Sequence, residues 1–274
     1  MDDAVLAVVA DLHVGSRAGL CPPEAELDSG GKYAANSVQQ ALWQGWCEFW
    51  GKDVPEARGN SPLVVLALGD LVERLGTPTS WANSLSEQIA AARQAMEEAR
   101  SLCGGWDALY VLRGTAWHVG EGGGAEEEIA RMLGAEPGPD GRYSRYRLLL
   151  DFGDALVDAA HAAWGAYRQW TRGGNASRLA AEVLAVCAEE GWRVPDLVVR
   201  AHTHNVADSG ATFRNCRAIT CPAFTATTDY AYGRGNVRPA DIGALLGHPR
   251  DIRVIRKLVV ERGAEAWLST GKKS

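Results

Sequence analysis

The sequence predicts an α/β fold that carries a polar site along one edge of its strands. Short apolar runs rich in Val, Leu and Ala alternate with longer stretches whose apolar residues recur at helical spacing. Several of the apolar runs are followed at once by Asp or His. Polar residues at the ends of neighbouring strands meet at one edge of a sheet, where open α/β folds bind their ligands.

Strands are predicted wherever a short apolar or alternating run is bounded by turn residues. They cover residues 4–10, 63–68, 108–112, 145–151, 155–160, 197–201, 216–220 and 252–260. Phe152-Gly-Asp154 separates two of these runs and predicts a hairpin turn. His248 lies between Gly247 and Pro249 in a predicted turn and is assigned no role.

Helices are predicted over residues 34–50, 84–101, 125–133 and 176–190. In the first, Leu42, Trp46 and Phe49 recur at spacings of three and four, which favours core packing over a base-stacking platform. Asn83 or Ser84 is the expected N-cap of the second helix. Asn175 is interpreted as the N-cap of the last helix rather than as a glycosylation site.

Composition limits the class of protein. A chain of 274 residues that is 46% apolar can bury a large core, and we expect one domain over residues 1–274. No apolar run approaches the roughly 20 residues that span a bilayer, and Met1-Asp-Asp lacks the basic start of a secretion signal. We therefore expect a cytoplasmic protein without a membrane partner.

The cysteines and the net charge exclude further classes. The six cysteines include no Cys-x-x-Cys pair, which argues against a zinc ribbon and gives no disulfide framework. The formal net charge of −6 argues against a surface that coats nucleic acid, although a local basic patch is compatible with it. The glycine run at 122–124 lacks the Gly-Lys-Ser/Thr ending of a phosphate-binding loop, so a lid is the alternative.

Four groups of polar residues follow predicted strands and together suit a pair of metal ions. They are Asp11-Leu-His13, Gly69-Asp70, His161, and His202-Thr-His204. Two carboxylates and four imidazoles are a donor set for two closely spaced divalent cations, and oxygen with nitrogen donors suits Mn, Fe or Zn. His161 by itself is more often a core or surface residue than a ligand, so the prediction depends on the ordered set.

In this order the motifs resemble those of the calcineurin-like metallophosphoesterase superfamily. That family is recognised by Asp-x-His, Gly-Asp, Gly-Asn-His-Asp/Glu, a single His and Gly-His-x-His. Four of the five motifs are present, between about residues 4 and 205. The resemblance implies a four-layer sandwich of two mixed β-sheets flanked by helices, with two divalent cations at the strand ends, Mn first and Fe or Zn as alternatives.

The resemblance also implies roles for the motif residues. One cation would take Asp11, His13, Asp70 and His204, and the other would take Asp70, His161 and His202. The implied activity is hydrolysis of a phosphodiester or phosphomonoester by a hydroxide that bridges the two metals. The implied partner is a phosphate ester, with a nucleotide or nucleic acid among the candidates.

The third motif departs from the family pattern. Thr115 stands where the family has a metal-binding Asn, and Ala116 stands where it has a catalytic His. His118 is the candidate for the acid that protonates the leaving group, or for an additional ligand of the second metal. Arg113 is either a phosphate contact or one half of a surface ion pair. Glu73 is either a hydrogen-bond acceptor for a ligating histidine or an exposed loop acid.

Two classes of function therefore remain open. The first is a metal-dependent hydrolase, with a phosphodiesterase favoured and a DNA nuclease of the same family as a variant. The second is a binding or scaffold protein on a degenerate phosphoesterase fold, which the loss of Asn and His favours. Residues 229–235 either line a substrate pocket or, as we favour, form a loop packed by Tyr230 and Tyr232.

Overall fold

The fold is taken from a computed structural model that describes residues 3–77, 79–162, 171–227 and 240–258. Its strands are β1 (Val5–Val9), β2 (Glu24–Glu26), β3 (Lys32–Ala34), β4 (Leu63–Ala67), β5 (Ala108–Leu112), β6 (Ser144–Arg145), β7 (Arg147–Asp151), β8 (Leu156–Ala160), β9 (Leu197–Arg200), β10 (Arg217–Thr220), β11 (Ile242–Gly247) and β12 (Arg253–Leu258). Its α-helices are α1 (Ser37–Glu48), α2 (Val54–Arg58), α3 (Leu85–Leu102), α4 (Ala116–Val119), α5 (Gly124–Leu133) and α6 (Arg172–Glu190).

The strands form two mixed sheets and one small hairpin. The larger sheet has the order β12-β11-β1-β4-β5-β6, and the smaller has the order β10-β9-β8-β7, while β2 pairs with β3. In the larger sheet β1, β4 and β5 run parallel, and β11 and β12 are antiparallel additions. In the smaller sheet β8, β9 and β10 run parallel, and β7 joins through the predicted hairpin.

The two sheets face each other across an apolar core. Leu6 and Val8 of β1 pack in the cluster that also contains Val157 and Val199 of the smaller sheet. The alternate residues of β1, such as Val9, pack in the cluster formed with the helices. Successive side chains of a strand point to opposite faces, so a strand buried on both sides reads as a continuous apolar run.

Helices cover both outer faces and complete four layers. Trp46 of α1 is fully buried, and its indole N–H donates to the Ala95 carbonyl of α3 at 3.0 Å, as the core-packing interpretation predicts. On the other side, Ala180 of α6 packs with Val198 of β9 and Ala218 of β10. The predicted four-layer sandwich of two mixed sheets flanked by helices is confirmed.

The helix boundaries differ from the predicted ones in three places, the first being that α1 begins at Ser37 and not at residue 34. The first predicted helix continues through a π-helical turn at Phe49–Asp53 into α2. Ser84 caps α3 as predicted, and its Oγ accepts the N–H of Glu87 at 3.1 Å. The N-cap predicted at Asn175 is wrong, because α6 begins at Arg172 and Asn175 lies in its first turn.

Some predictions cannot be compared with the structure. The segment 229–235, for which we expect a loop packed by its tyrosines, lies outside the described residues. No helix among the described residues is both long and apolar enough to cross a bilayer.

Candidate metal centre

All candidate ligands follow the carboxyl ends of parallel strands. They are Asp11 and His13 after β1, Asp70 after β4, His161 after β8, and His202 and His204 after β9. The loops after β1 and β4 are joined by backbone hydrogen bonds from Asp11 to Gly69 and from His13 to Asp70, both 3.0 Å. The two sheets are joined where the His202 N–H donates to Oδ2 of Asp11 at 3.1 Å. The strand ends therefore bring these six side chains to one edge of the fold.

The backbone is left-handed at most of these ligands. Among the described residues other than glycine, positive φ occurs at five positions, which are Asp11, His13, Asp70, His202 and His204, with φ between 45° and 71°. Such a conformation costs an L-residue about 1–2 kcal/mol, although Asp and His tolerate it better than most. Strain that is concentrated at polar strand ends is typical of a functional site.

The first group of candidate ligands consists of Asp11, His13 and His204. Oδ1 of Asp11 lies 3.3 Å from Nε2 of His204 and 3.8 Å from Nε2 of His13, and the two imidazole nitrogens are 3.1 Å apart. Ligand atoms bound to one ion at about 2.1 Å lie at most about 4.2 Å apart. The three side chains therefore have the spacing of ligands to a single ion.

The second group consists of Asp70, His161 and His202. Oδ2 of Asp70 lies 3.0 Å from Nε2 of His161 and 3.9 Å from Nδ1 of His202. Asp70 also belongs to a third group with His13 and His118, so its carboxylate lies between the two sides of the site. This is the position that the motif resemblance assigns to a bridging ligand.

His161 is held in one orientation. Its Nδ1–H donates to the Leu68 carbonyl at 2.7 Å, which leaves Nε2 facing Asp70. Burial lowers the affinity of this imidazole for a proton, but Asp70 and Asp11 outweigh it and raise the pKa of His161 to about 9. The positive charge of the protonated imidazole thus compensates part of the negative charge of the two carboxylates.

Buried atoms without hydrogen-bond partners give the test of whether cations fit here. Oδ1 of Asp11 and Nε2 of His161 are both buried and make no hydrogen bond. Burial would raise the pKa of Asp11, yet the charges of His204 and His161 hold it below its usual value. Buried polar atoms normally find partners, and their clustering beside two carboxylates fits divalent cations held by nitrogen and oxygen.

Glu73 lies between two of the histidines. Its Oε1 is 2.8 Å from Nδ1 of His118, and its Oε2 is 3.3 Å from Nδ1 of His13. Burial opposes ionisation, but His118 and His13 lower the pKa of Glu73 far below its usual value. Glu73 is therefore a buried acceptor for a candidate ligand, which is the first of the two alternatives for this residue, and not an exposed loop acid.

His118 lies on the side of the site that contains His13. The two rings are 4.5 Å apart and nearly perpendicular. Burial works against protonation, but the hydrogen bond with Glu73 raises the pKa of His118 above its usual value. The second role expected for His118 was that of a ligand to the second cation. The structure instead groups His118 with His13 and Asp70, and not with His161 and His202.

Thr115 and Ala116, which replace the family's Asn and His, differ from each other in their surroundings. The Thr115 backbone N–H donates to Oδ1 of Asp70 at 2.8 Å. Ala116 is exposed and supplies no polar group at the place of the family's catalytic His. Gly114 permits this approach, because a Cβ there would lie 2.0 Å from Oδ1 of Asp70.

Arg113 is buried and engaged with a neighbouring loop. Its guanidinium donates to Oγ and the carbonyl of Ser144 at 2.9 and 3.1 Å and lies 3.5 Å from Glu127. These contacts give the side chain a structural role and match the ion-pair alternative in a buried setting. Its function as a phosphate contact stays a prediction.

Glu126 supports the loops that follow β4 and β5, a role that the sequence pattern did not indicate. This fully buried carboxylate of α5 accepts the Gly114 N–H at 2.8 Å and the Leu71 N–H at 3.4 Å. Burial, with the nearby Asp70 charge, raises the pKa of Glu126 to about 8. In the sequence Glu126 is the first of three consecutive acids near the start of a predicted helix, and nothing in that pattern marks it as buried.

Comparisons with known proteins find similarity in structure only. No family model matches the chain, and no curated protein matches it. Similar solved structures include a protein of Streptococcus pneumoniae described as a predicted phosphoesterase, with 11% identity, 88% of this chain and 80% of that chain covered, and a TM-score of 0.34. Entamoeba histolytica Vps29 with bound Zn has 12% identity, coverage of 88% and 84%, and a TM-score of 0.41.

A third similar structure is SoxB, a sulfate thiohydrolase of Thermus thermophilus. It has 13% identity, covers 98% of this chain and 60% of that chain, and has a TM-score of 0.43. No activity is transferred from these proteins at such scores. The chain is nevertheless similar to calcineurin-like metallophosphoesterases, because its two facing mixed sheets and its motifs, each after a parallel strand, have the predicted arrangement.

Proposed function

We propose that the chain is a metal-dependent hydrolase that cleaves a phosphodiester or a phosphomonoester, with diesters preferred. The observation that carries the proposal is the convergence of six side chains at one edge of the fold, where two buried atoms, Oδ1 of Asp11 and Nε2 of His161, lack hydrogen bonds. Two divalent cations, Mn first and Fe or Zn as alternatives, would satisfy these atoms. The substrate is a phosphate ester, and nucleotides are among the candidates.

The residues divide into two ligand sets that share Asp70. Asp11, His13 and His204 would hold one cation, His161 and His202 would hold the other, and Asp70 would contact both. Bound divalent cations supply an activated water and stabilise negative charge on the phosphate oxygens. His202 and His204 are partly exposed, whereas His13 and His161 are buried, so the open side through which an ester enters lies at the end of β9.

His118 is the histidine that we propose as the proton donor to the leaving group. Its Nδ1 faces Glu73, which leaves Nε2 as the nitrogen able to carry a proton to a departing oxygen. Glu73 positions this ring and also contacts His13, so it ties the acid to the first ligand set. The proposed acid, His118, therefore lies two residues after Ala116, which occupies the place of the family's catalytic His.

A binding or scaffold protein is the second candidate function. The specific observation in its favour is that Thr115 places its backbone N–H, and not an amide oxygen, beside Asp70. A nuclease has less support, since Arg217 is paired with Asp208 at 2.7 Å and the formal net charge of the chain is −6. The cytoplasm remains the expected location.

The experiment uses protein loaded with Mn and two chromogenic esters, bis-p-nitrophenyl phosphate and p-nitrophenyl phosphate. We expect turnover of at least one ester, loss of turnover with chelator, and loss of most turnover in Asp70→Asn. Asp140→Asn changes an exposed carboxylate outside the site and serves as the matched control. Two bound metal ions per chain without turnover of either ester would favour the scaffold function instead.

A further inference from the structure

Trp117 is an exposed aromatic side chain beside the candidate metal centre. It is 65% exposed, the largest exposed fraction among the large apolar side chains that the structure describes. Tryptophan is normally well buried, because its large apolar surface is costly to hydrate. A solvent-exposed tryptophan one residue from His118 of the candidate site therefore needs an explanation.

Arg74 covers part of this ring. Its guanidinium carbon lies 3.6 Å from the centroid of the Trp117 ring, a close cation–π contact. The Arg74 backbone N–H donates to Oε1 of Glu73 at 2.9 Å, which fixes where its side chain starts. The guanidinium holds the indole in place and adds positive charge next to it.

Trp117 and Arg74 are the chain neighbours of the two residues that meet at the proposed proton donor. Glu73 and His118 are in contact at 2.8 Å, and Arg74 and Trp117 are the next residues on either side of that contact. His118 in turn lies against His13 of the first ligand set. Trp117 and Arg74 therefore each lie one residue from the Glu73–His118 contact.

We propose that Trp117 and Arg74 form a subsite that stacks the nucleobase of a nucleotide phosphodiester. The inference rests on the proposed phosphoesterase function and names the substrate class of that same site. An exposed indole offers a planar π-surface to a base, and stacking of this kind is tolerant of base identity. The Arg74 cation beside the ring favours a substrate that is aromatic and anionic at once.

The test compares two diesters that share one leaving group. They are the p-nitrophenyl ester of thymidine 5′-phosphate and p-nitrophenyl methyl phosphate, each hydrolysed by the Mn-loaded protein. The ratio of their kcat/KM values measures the contribution of the nucleoside, because effects on the shared chemistry cancel. We expect the wild type to prefer the nucleoside ester and Trp117→Ala to lower the ratio about 5- to 100-fold.

Three further variants sharpen the test. Trp117→Phe retains an aromatic ring and should keep most of the preference, while Arg74→Ala should lower it less than Trp117→Ala does. Trp192→Ala removes another exposed tryptophan, 55% exposed and just beyond α6, and should leave the ratio at its wild-type value. A wild-type ratio in Trp117→Ala would overturn the proposal and leave the indole with a structural role at α4.

The subsite and the phosphoesterase function can fail separately. If neither ester is turned over, the phosphoesterase function fails, and the subsite is then tested by calorimetric titration of the Mn-loaded protein with thymidine 5′-monophosphate. Weaker binding by Trp117→Ala than by the wild type would support the subsite. Equal affinities, or no binding to either protein, would overturn it.

Discussion

Thr115 lies directly against Asp70, the carboxylate shared by both ligand groups. Its backbone N–H donates to Oδ1 of Asp70 at 2.8 Å, and its hydroxyl is 3.2 Å from both carboxylate oxygens. A hydroxyl at this place donates a hydrogen bond to the carboxylate and presents a weaker neutral ligand than an amide oxygen. The second cation should therefore be the less tightly held of the two.

Thr115→Asn should strengthen binding of the second cation. The longer side chain carries an amide oxygen past the Asp70 carboxylate towards the group formed with His161 and His202. We expect about tenfold tighter binding, equal to about 1.4 kcal/mol, in a competition titration with a chromogenic chelator. Thr212→Asn makes the same change on an exposed loop and should bind as the wild type does. Unchanged affinity in Thr115→Asn would place residue 115 outside the ligand set.

Gly114→Ala should damage the site through a steric clash. A Cβ at this position would lie 2.0 Å from Oδ1 and 2.3 Å from the backbone N of Asp70, and neither atom can move without disturbing the loop. We expect overpacking to cost about 1–3 kcal/mol of the free energy of unfolding and to weaken metal binding. Urea unfolding with and without Mn measures both effects.

The matched control is Gly174→Ala, in the first turns of α6. A Cβ there has open space within 4 Å, and alanine favours a helix over glycine, so this variant should be as stable as the wild type or slightly more so. Equal stability of Gly114→Ala and Gly174→Ala would show that the Asp70 loop has more room than the structure gives it.

Much of the fold was predictable because buried strands leave a clear pattern. Apolar runs such as the one before Asp11 are continuous, since both of their faces are covered, and the polar residue that ends each run marks the edge of the sheet. β11 was missed because Gly243 and Gly247 interrupt its apolar run, and a run broken by glycine resembles a turn. The β2–β3 hairpin was missed because its strands are short and polar.

The candidate site was only partly predictable. Sequence order identifies residues such as Asp70 and His161, because each follows a strand. It does not show that Glu73 contacts two histidines, or that Glu126 holds two loops, because those contacts depend on helix packing between segments far apart in the chain. Left-handed backbone at the ligands is likewise a tertiary property, since Asp and His adopt other conformations equally well elsewhere.

His118→Ala should lower turnover most for esters with poor leaving groups. An alkoxide needs a proton as it departs, whereas p-nitrophenolate hardly does, and general acid catalysis contributes about 10²- to 10⁴-fold. We expect a large fall in kcat for an alkyl ester and a small one for the p-nitrophenyl ester, with bound metal per chain unchanged. His248→Ala, in the loop after β11, is the matched control. Bound metal that falls towards one ion per chain would instead identify His118 as a ligand.

Asp158→Asn should destabilise the smaller sheet in a pH-dependent way. The fully buried carboxylate accepts two hydrogen bonds from Arg147 at 2.9 Å and one from Arg200 at 3.0 Å. Burial opposes ionisation, but these arginines outweigh it and hold the pKa of Asp158 below its usual value. Removing the charge leaves the buried Arg200 without its partner, which costs about 3–5 kcal/mol for a buried pair.

The lowered pKa fixes the direction of the pH effect. Stabilisation by Asp158 is complete above the unfolded pKa near 3.8 and is lost as the pH falls through the lower folded value. The difference in the free energy of unfolding between wild type and Asp158→Asn should therefore be largest at neutral pH and shrink below about pH 4. Asp151→Asn, an exposed partner of Arg193, should cost at most about 1 kcal/mol. Urea unfolding at neutral and acidic pH measures these differences, and one that stays constant down to pH 3 would contradict the buried ion pair.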